Sequence, residues 1–356
     1  MIISDNASKD ETQRICEAYA GLYKRIHYYR SEKNLGAASL SFMNNSIQYI
    51  YICSAGHSGS TLLDMLLGSH SQIESLGEIE HLSKNISLNT LCTCRKSIKL
   101  CTVWEKTIKA VGNKLNIDIL QSPYELNMGF PNPQIIKDEI HDTFRYKAKR
   151  KYLMGLQYLF IKYKLRIIKP LLSKVFQSMD HTFLVYDTIR SQLGCQMVVD
   201  SSKSYIRSVG FYCEKPEHTR IILLTRDGRG VLYSNIKRNF PRNRAVVGWK
   251  RYYSRAIPLF DTIIDANSLI QVKYEDIIKD PSEELKRICS FINLKFEEDM
   301  LNFADHTHHI TNGNNMRFSK LSQIRDDNSW KTKMEKSDLV YFDKHAGDIN
   351  RRLGYL

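Results

Sequence analysis

Apolar residues run unbroken through Tyr49-Ile50-Tyr51-Ile52-Cys53, a β-branched and aromatic stretch too short for a helix. This predicts a strand over about 47–53, and similar runs predict strands over Gln196–Val199, Thr219–Thr225 and Leu269–Lys273. Between them the pattern turns helical. Leu62, Leu63, Leu66 and Leu67 define one buried face that leaves Asp64 off it. Arg229–Arg238 reads as a second helix, and Trp249, Tyr252, Tyr253, Ala256, Phe260, Ile263 and Ile264 mark the core face of a third, with Pro258 as a kink. Pro281–Ile292 is a fourth, with Pro at its first turn and Asp280 as N-cap. Strands alternating with helices imply an α/β fold with a central parallel sheet. Residues 82–194 lose that alternation and read as a large, mainly helical insertion. Residues 1–46 read as an N-terminal helical extension, because Ile15, Ala18, Tyr19, Leu22, Tyr23, Ile26 and Tyr29 recur at helical spacing over 10–30. The main domain then covers 47–356, its C-terminal stretch 300–356 being polar with scattered aromatics.

Ligands of a parallel sheet bind outside the carboxyl ends of its strands. Each expected strand carries polar residues just past that end: the loop Gly56–Thr61, then Asp200 to Lys203, then Arg226, then Tyr274 with Glu275. The loop holds Gly56, His57, Ser58, Gly59, Ser60 and Thr61 and opens straight into a helix. Such a turn aims backbone N–H groups and the helix dipole at one spot, which suits a phosphate or sulfate. A triphosphate loop would carry Gly-x-x-x-x-Gly-Lys-[Ser/Thr]. Here the register reads Ser54, Gly59, Ser60, Thr61, with Ser60 where the lysine would stand. The loop is P-loop-like, built for a 5′-phosphate group and lacking the lysine that serves a γ-phosphate.

The 356 residues, 42% apolar and 25% charged, are ordinary for a globular protein. No run of about 18 apolar residues predicts a membrane span. Asp5, Asp10 and Glu11 argue against a secretory leader, so a cytoplasmic protein is expected. The net charge is +14, and ten basic residues lie from Arg145 to Lys174 with no Asp or Glu between Thr143 and Met179. Interleaved with Tyr152, Leu156, Leu159 and Phe160, this stretch 145–174 fits peripheral contact with an anionic membrane or an anionic acceptor, or a solvated helical pair. Nucleic acid is not expected, since no recognition fold accompanies the charge. Of eight cysteines only Cys92, Cys94 and Cys101 cluster. A structural zinc site wants four ligands. His81 is the candidate fourth, and the reading adopted is reduced thiols with no metal. His306, His308 and His309 read as a loop rather than ligands.

The loop together with Arg226-Asp227-Gly228-Arg229-Gly230-Val231-Leu232-Tyr233-Ser234 resembles the sulfotransferase superfamily that uses 3′-phosphoadenosine 5′-phosphosulfate (PAPS). The resemblance implies a P-loop-like three-layer fold. It implies that the loop binds the 5′-phosphosulfate and that Arg226 and Ser234, eight residues apart, bind the 3′-phosphate. Lys273-Tyr274-Glu275-Asp276-Ile277 resembles the family segment whose Tyr lies by the adenine, which assigns Tyr274 that place. Leu67-Gly68-Ser69-His70, Leu76-Gly77-Glu78, the three cysteines with Trp104, Asp200-Ser201-Ser202-Lys203, His308-His309 and Gly313-Asn314-Asn315-Met316-Arg317 resemble a bacterial-type branch. The likeness covers roughly 47–104 and 196–330.

The family places Lys or Arg where His57 stands, so His57 is expected to take over that cation's work on the leaving phosphate. Neutral imidazole, with a pKa of about 6.5, brings less charge, and Lys203 or backbone N–H groups are the alternative source. Glu78 is the expected general base for an alcohol acceptor, with Glu80 and His81 as rivals. Arg317, or Arg325, is expected to close over the 3′-phosphate. The expected reaction moves sulfonate from PAPS to a hydroxyl or amine of a glycan, lipid or peptide tyrosine, without a metal, the helical insertion shaping the acceptor side. A P-loop kinase, or a non-catalytic nucleotide-binding protein of the membrane surface, are the competing readings.

Overall fold

The structure, a computed structural model, describes residues 2–5, 11, 13–14, 17, 27–30, 47–128, 144–163, 166–319 and 328–356. It divides into two units, Met1–Gln48 and Tyr49–Leu356. In the first unit β1 (Ile2–Asp5) pairs in parallel with β2 (His27–Arg30). A helical extension, with its helix over 10–30, was expected there. Most of the helix expected over 10–30 lies outside the described residues, and its last positions, rich in tyrosine, form β2 instead.

The second unit is built on a five-stranded parallel sheet of β3 (Tyr49–Cys53), β4 (Ile73–Gly77), β5 (Met197–Lys203), β6 (Thr219–Thr225) and β7 (Leu269–Lys273), in the order β4-β5-β3-β6-β7. The expected α/β class holds. β3 sits at the centre and is buried along its whole length, which is why its sequence is apolar at every position. Register locks Tyr49 to Thr219 and Cys53 to Leu223 on one side, and Tyr49 to Val198 on the other. The loops after β3, β5, β6 and β7 therefore leave the same edge of the sheet.

Helix Ser60–Leu67 follows β3 and is buried at all eight positions. Asp64, expected off the buried face, is fully buried as well, because this helix is covered on both sides. Ser201 Oγ donates to Asp64 Oδ2 at 3.0 Å. Burial pushes the Asp64 carboxyl up to about 7 and, opposed by nearby Arg207, pushes Asp200 up to about 6. An unfolded Asp titrates near about 3.9, so over the pH range between that value and the folded one the native state holds more protons than the unfolded state. Stability is then greatest below the unfolded pKa and falls as pH rises through the folded one. We expect the melting temperature to fall as pH is raised from about 5 to about 8, with a shallower slope in Asp64→Asn. A slope unchanged by that substitution would remove Asp64 as its cause.

Among the described residues, 82–194 adds helices Leu82–Ser87, Thr102–Leu115, Phe144–Tyr163 and Ser173–Leu193 and no strand of the sheet. No helix there or elsewhere in the described residues is long and apolar enough to cross a membrane. In the basic stretch Tyr163, Ile167 and Leu171 are exposed. The polar C-terminal stretch is more regular than expected. Lys336–Arg352 is a helix that sets Phe342 against Trp249 at 5.4 Å between ring centroids and offers Asn350 Oδ1 to the Gly228 N–H at 2.9 Å. It thereby fixes the start of helix Gly228–Ile236, which carries Ser234.

Candidate active site

The turn after β3 takes two residues into the left-handed region, His57 at φ 65° and Gly59 at φ 91°. Gly59 caps helix Ser60–Leu67 and, lacking a side chain, offers no cap bond to the free N–H groups of its first turn. Those donors and the helix dipole make an anion cradle. A Cβ on Gly56 would meet nothing within 4 Å, so the cradle is open there. A Cβ on Gly59 would stand 2.3 Å from Tyr274 Cδ2. Gly59 is thus what lets the Tyr274 ring lie on the loop. We expect Gly59→Ala to cost about 1–2 kcal/mol in backbone strain and to displace that ring. Thermal melts together with adenine-nucleotide titration would show both losses, and unaltered binding would separate the ring from the ligand.

Tyr274 begins helix Tyr274–Lys279 directly after β7, and Arg226 follows β6. The Arg226 guanidinium lies 4.5 Å over the Tyr274 ring, and its Nη1 donates to the His57 carbonyl at 3.1 Å. The strand-end arginine, the aromatic ring and the phosphate loop are therefore one contact set. A cavity of about 500 Å³ lies against it, lined by Gly56, His57, Gly59, Ser60, Thr61, Glu78, Lys203, Arg226, Ser234 and Tyr274. The cavity thus unites the loop with Arg226 and Ser234. Ser58 is buried in the turn and does not line it.

Positive charge gathers at the loop. Arg238 Nη1 is 2.8 Å from His57 Nδ1 and also lines the cavity. Burial first, then Arg238, Lys203 and Arg226, lower the His57 pKa. These neighbours disfavour the imidazolium, and Arg226, Arg238 and Lys203 add positive charge at this corner. Arg238 was not singled out from the sequence. Its signal was its place four residues after Ser234, one helical turn along the same face.

Across the cavity Lys203 Nζ donates to Glu78 Oε1. Both side chains are about one-fifth exposed, at 23% and 19%. Of the three acid–base candidates Glu78 lines the cavity, whereas Glu80 and His81 do not. The Glu80 N–H is held by Ser202 Oγ at 3.1 Å, and His81 Nε2 is 3.7 Å from Glu78 Oε2. Burial lowers the His81 pKa against the pull of Glu78.

The C-terminal segment closes one wall through Gly313, Asn314 and Met316. The Asn314 N–H donates to Thr61 Oγ1 at 3.1 Å. Arg317 was expected at the nucleotide and is not in the cavity wall. The short 3-10 turn Asn315–Phe318 puts Met316 on the wall and sends Arg317 outward, where its Nη2 donates to the Leu91 carbonyl at 3.4 Å. Arg325 lies outside the described residues. Nor does His81 join the cysteines. His309 takes that place beside Cys92, Cys94 and Cys101.

The matches to known proteins follow this architecture. Residues 49–298, from the first residue of the second unit through β7 and the helices beyond it, match the model of the Sulfotransferase family. The chain belongs to the sulfotransferase family. Residues 1–41 match a different model, Glycosyl transferase family 2. Two nematode proteins, each named "Putative protein-tyrosine sulfotransferase", are similar over 144 residues at 30% identity, in Caenorhabditis briggsae and Caenorhabditis elegans. That stretch is 38% of this chain and 49% and 52% of theirs, so the chain spans about half the length of the curated relatives it matches. Among solved structures, the sulfotransferase domain from the curacin biosynthetic pathway aligns over 87% of this chain and 98% of its own at 18% identity and TM-score 0.46. The sulfotransferase domain of the Synechococcus PCC 7002 olefin synthase aligns over 85% and 94% at 17% identity and TM-score 0.42.

Proposed function

We propose that this chain transfers a sulfonate group from PAPS to an acceptor hydroxyl. One observation carries the reading. The Gly56–Thr61 loop and the Arg226/Ser234 pair, remote in sequence, line one cavity with an aromatic ring between them. The donor set fits a polyanionic adenosine carrier. Lys203, Arg226 and Arg238 converge on His57, Gly56 leaves the cradle open, and Glu78 is the one carboxylate in the wall among the described residues.

Bound PAPS would supply an activated sulfonate on a phosphate leaving group. The N–H groups of the Gly59–Thr61 turn would hold the 5′-phosphosulfate, Arg226 and Ser234 the 3′-phosphate, and Tyr274 the adenine. Arg226 suits that task because its planar fork meets phosphate oxygens while its face rests on Tyr274. During transfer the acceptor oxygen bonds to sulfur as the bond from sulfur to the phosphate oxygen breaks. The hydroxyl proton passes to Glu78, and the charge left on the phosphate is met by Lys203, Arg238 and the loop N–H groups. Placement and fixed charge do most of this work. His57 contributes its carbonyl to Arg226 and its ring to Arg238.

The acceptor is the open half of the reading. A peptide tyrosine has the support of the two nematode relatives' names, and a glycan or an amphiphilic alcohol fits the basic insertion. The test is calorimetric titration with adenosine 3′,5′-bisphosphate and with ATP, followed by transfer of radiolabelled sulfonate to those three acceptor classes. We expect the bisphosphate to bind more tightly than ATP. Turnover should not depend on added Mg²⁺, since among the described residues a single wall carboxylate offers no divalent-cation clamp for a phosphoryl group. Tighter ATP binding with Mg²⁺-dependent turnover would identify a kinase instead.

A further inference from the structure

Cys92, Cys94, Cys101 and His309 bring four ligand atoms within 4.8 Å of one another. The first two sit on a tight reversal, where Leu91 bridges Ser97 antiparallel and the Arg95 N–H donates to the Cys92 carbonyl at 2.9 Å. Arg95 adopts φ 65° to complete the turn. Cys101 is the residue that starts helix Thr102–Leu115. His309 arrives from the far end of the chain, with Nδ1 at 3.2 Å from Cys101 Sγ and 3.9 Å from Cys92 Sγ. Its backbone carbonyl is fixed by Trp104 Nε1 at 2.7 Å. Tetrahedral zinc, with Zn–S of about 2.3 Å and Zn–N of about 2.0–2.1 Å, spaces its ligand atoms roughly 3.4–3.8 Å apart. The observed spacings bracket that value.

We propose that Cys92, Cys94, Cys101 and His309 form a structural zinc site that anchors the C-terminal segment to the phosphate loop. Two alternatives use less of what is present. A Cys92–Cys101 disulfide would leave Cys94 and His309 converging on nothing, and free thiols would not need the imidazole. Three thiolates and one imidazole complete the four-coordinate shell of structural zinc and leave no position open for substrate. Binding would release the thiol protons, giving a centre of net charge −1 from one Zn²⁺ and three thiolates. Arg317 provides a neighbouring counter-charge. It reaches the Leu91 carbonyl at 3.4 Å, and its buried Nε and Nη1 have no partner among the described residues. This gives Arg317 a place in the structure that its absence from the nucleotide cavity left open.

The anchoring follows from the backbone around His309. The Thr93 N–H donates to the Ile310 carbonyl at 3.2 Å, the Thr311 N–H to the Leu76 carbonyl at 3.3 Å, and the Asn314 N–H to Thr61 Oγ1 at 3.1 Å. A metal on His309 therefore holds one end of a strap whose other end lies on the phosphate loop and whose start abuts Gly77 and Glu78. Gly77, at φ 74°, has no room for a Cβ, which would stand 2.4 Å from the Asn312 carbonyl oxygen.

The test is the metal content of the full chain purified without chelator, read by plasma mass spectrometry, and the absorption of the cobalt-substituted protein. We expect about one zinc per chain and thiolate-to-cobalt charge-transfer bands with a tetrahedral ligand-field pattern. His309→Cys should keep the metal as a four-thiolate site. His309→Ala should weaken zinc binding by at least about tenfold, and circular dichroism would confirm that both variants fold. Reduced protein that takes up no zinc on reconstitution, or metal-free protein with a Cys92–Cys101 disulfide found by peptide mass mapping, would overturn the site. These readouts need no sulfotransfer, so the site and the proposed reaction stand or fall separately.

Discussion

Glu78→Gln should lower turnover by about 10²- to 10⁴-fold, the range a positioned general base supplies, while leaving affinity for adenosine 3′,5′-bisphosphate within a few-fold. The amide keeps the size of the carboxylate and removes only its capacity to take a proton. Glu78 stands on the cavity wall with Oε1 paired to Lys203, so a second role as that lysine's ion-pair partner must be separated from catalysis. Lys203→Met makes the separation. If Glu78 merely held Lys203, both substitutions would weaken nucleotide binding alike. If Glu78 takes the acceptor proton, its loss lowers turnover at saturating nucleotide and acceptor, whereas Lys203→Met acts chiefly on nucleotide affinity. A turnover loss of less than about tenfold in Glu78→Gln falls short of general-base catalysis and would end the assignment.

How far the fold could be read depended on how sharply each apolar run ends in the sequence. β6 and β7 have the bounds expected from sequence because their apolar runs end sharply at polar residues. β4 was missed. Its sequence, Ile-Glu-Ser-Leu-Gly, belongs to an edge strand with only partial apolar character. There burial pushes the Glu74 carboxyl up to about 7, a cost that hydrophobic patterning does not register. β5 runs on through Asp200, Ser201 and Ser202, polar residues that satisfy one another and Asp64 inside the core. Patterning ended that strand at Val199 because it cannot see a buried polar network.

The site divides along the same line. The loop, Arg226 and Tyr274 each follow a strand end, with Ser234 on the helix after β6, and a parallel sheet gathers strand ends by its own geometry. They were legible for that reason. The wall made by Gly313, Asn314 and Met316, and the union of His309 with the cysteines, come from a strap that crosses the sheet's edge after more than two hundred intervening residues. No local period encodes that path. Arg317 stands off the cavity wall because a motif fixes which residues are near the site, whereas a 3-10 turn decides which of them faces it.

Arg226→Ala should weaken adenosine 3′,5′-bisphosphate binding by about 10- to 100-fold, since a hydrogen bond to a charged group contributes about 1.5–3 kcal/mol. Ser234→Ala, which removes a neutral donor, should cost roughly 2- to 10-fold. The raw loss in Arg226→Ala is ambiguous, because this side chain also supports the loop through the His57 carbonyl and covers Tyr274. The informative quantity is the ratio of affinities for adenosine 3′,5′-bisphosphate and adenosine 5′-phosphate. A residue that grips the 3′-phosphate makes the wild-type ratio large, and its removal brings the ratio down. A residue that only props the loop lowers both affinities and leaves the ratio where it was. Arg226→Lys sharpens the distinction, for lysine keeps the charge and gives up the planar fork and the stack on Tyr274. Partial recovery of the ratio in that variant, with Tyr274→Ala changing both affinities equally, places Arg226 on the phosphate and the ring on the base. An unchanged ratio in Arg226→Ala would instead make the loop's shape, and not recognition of the second phosphate, the work of that arginine.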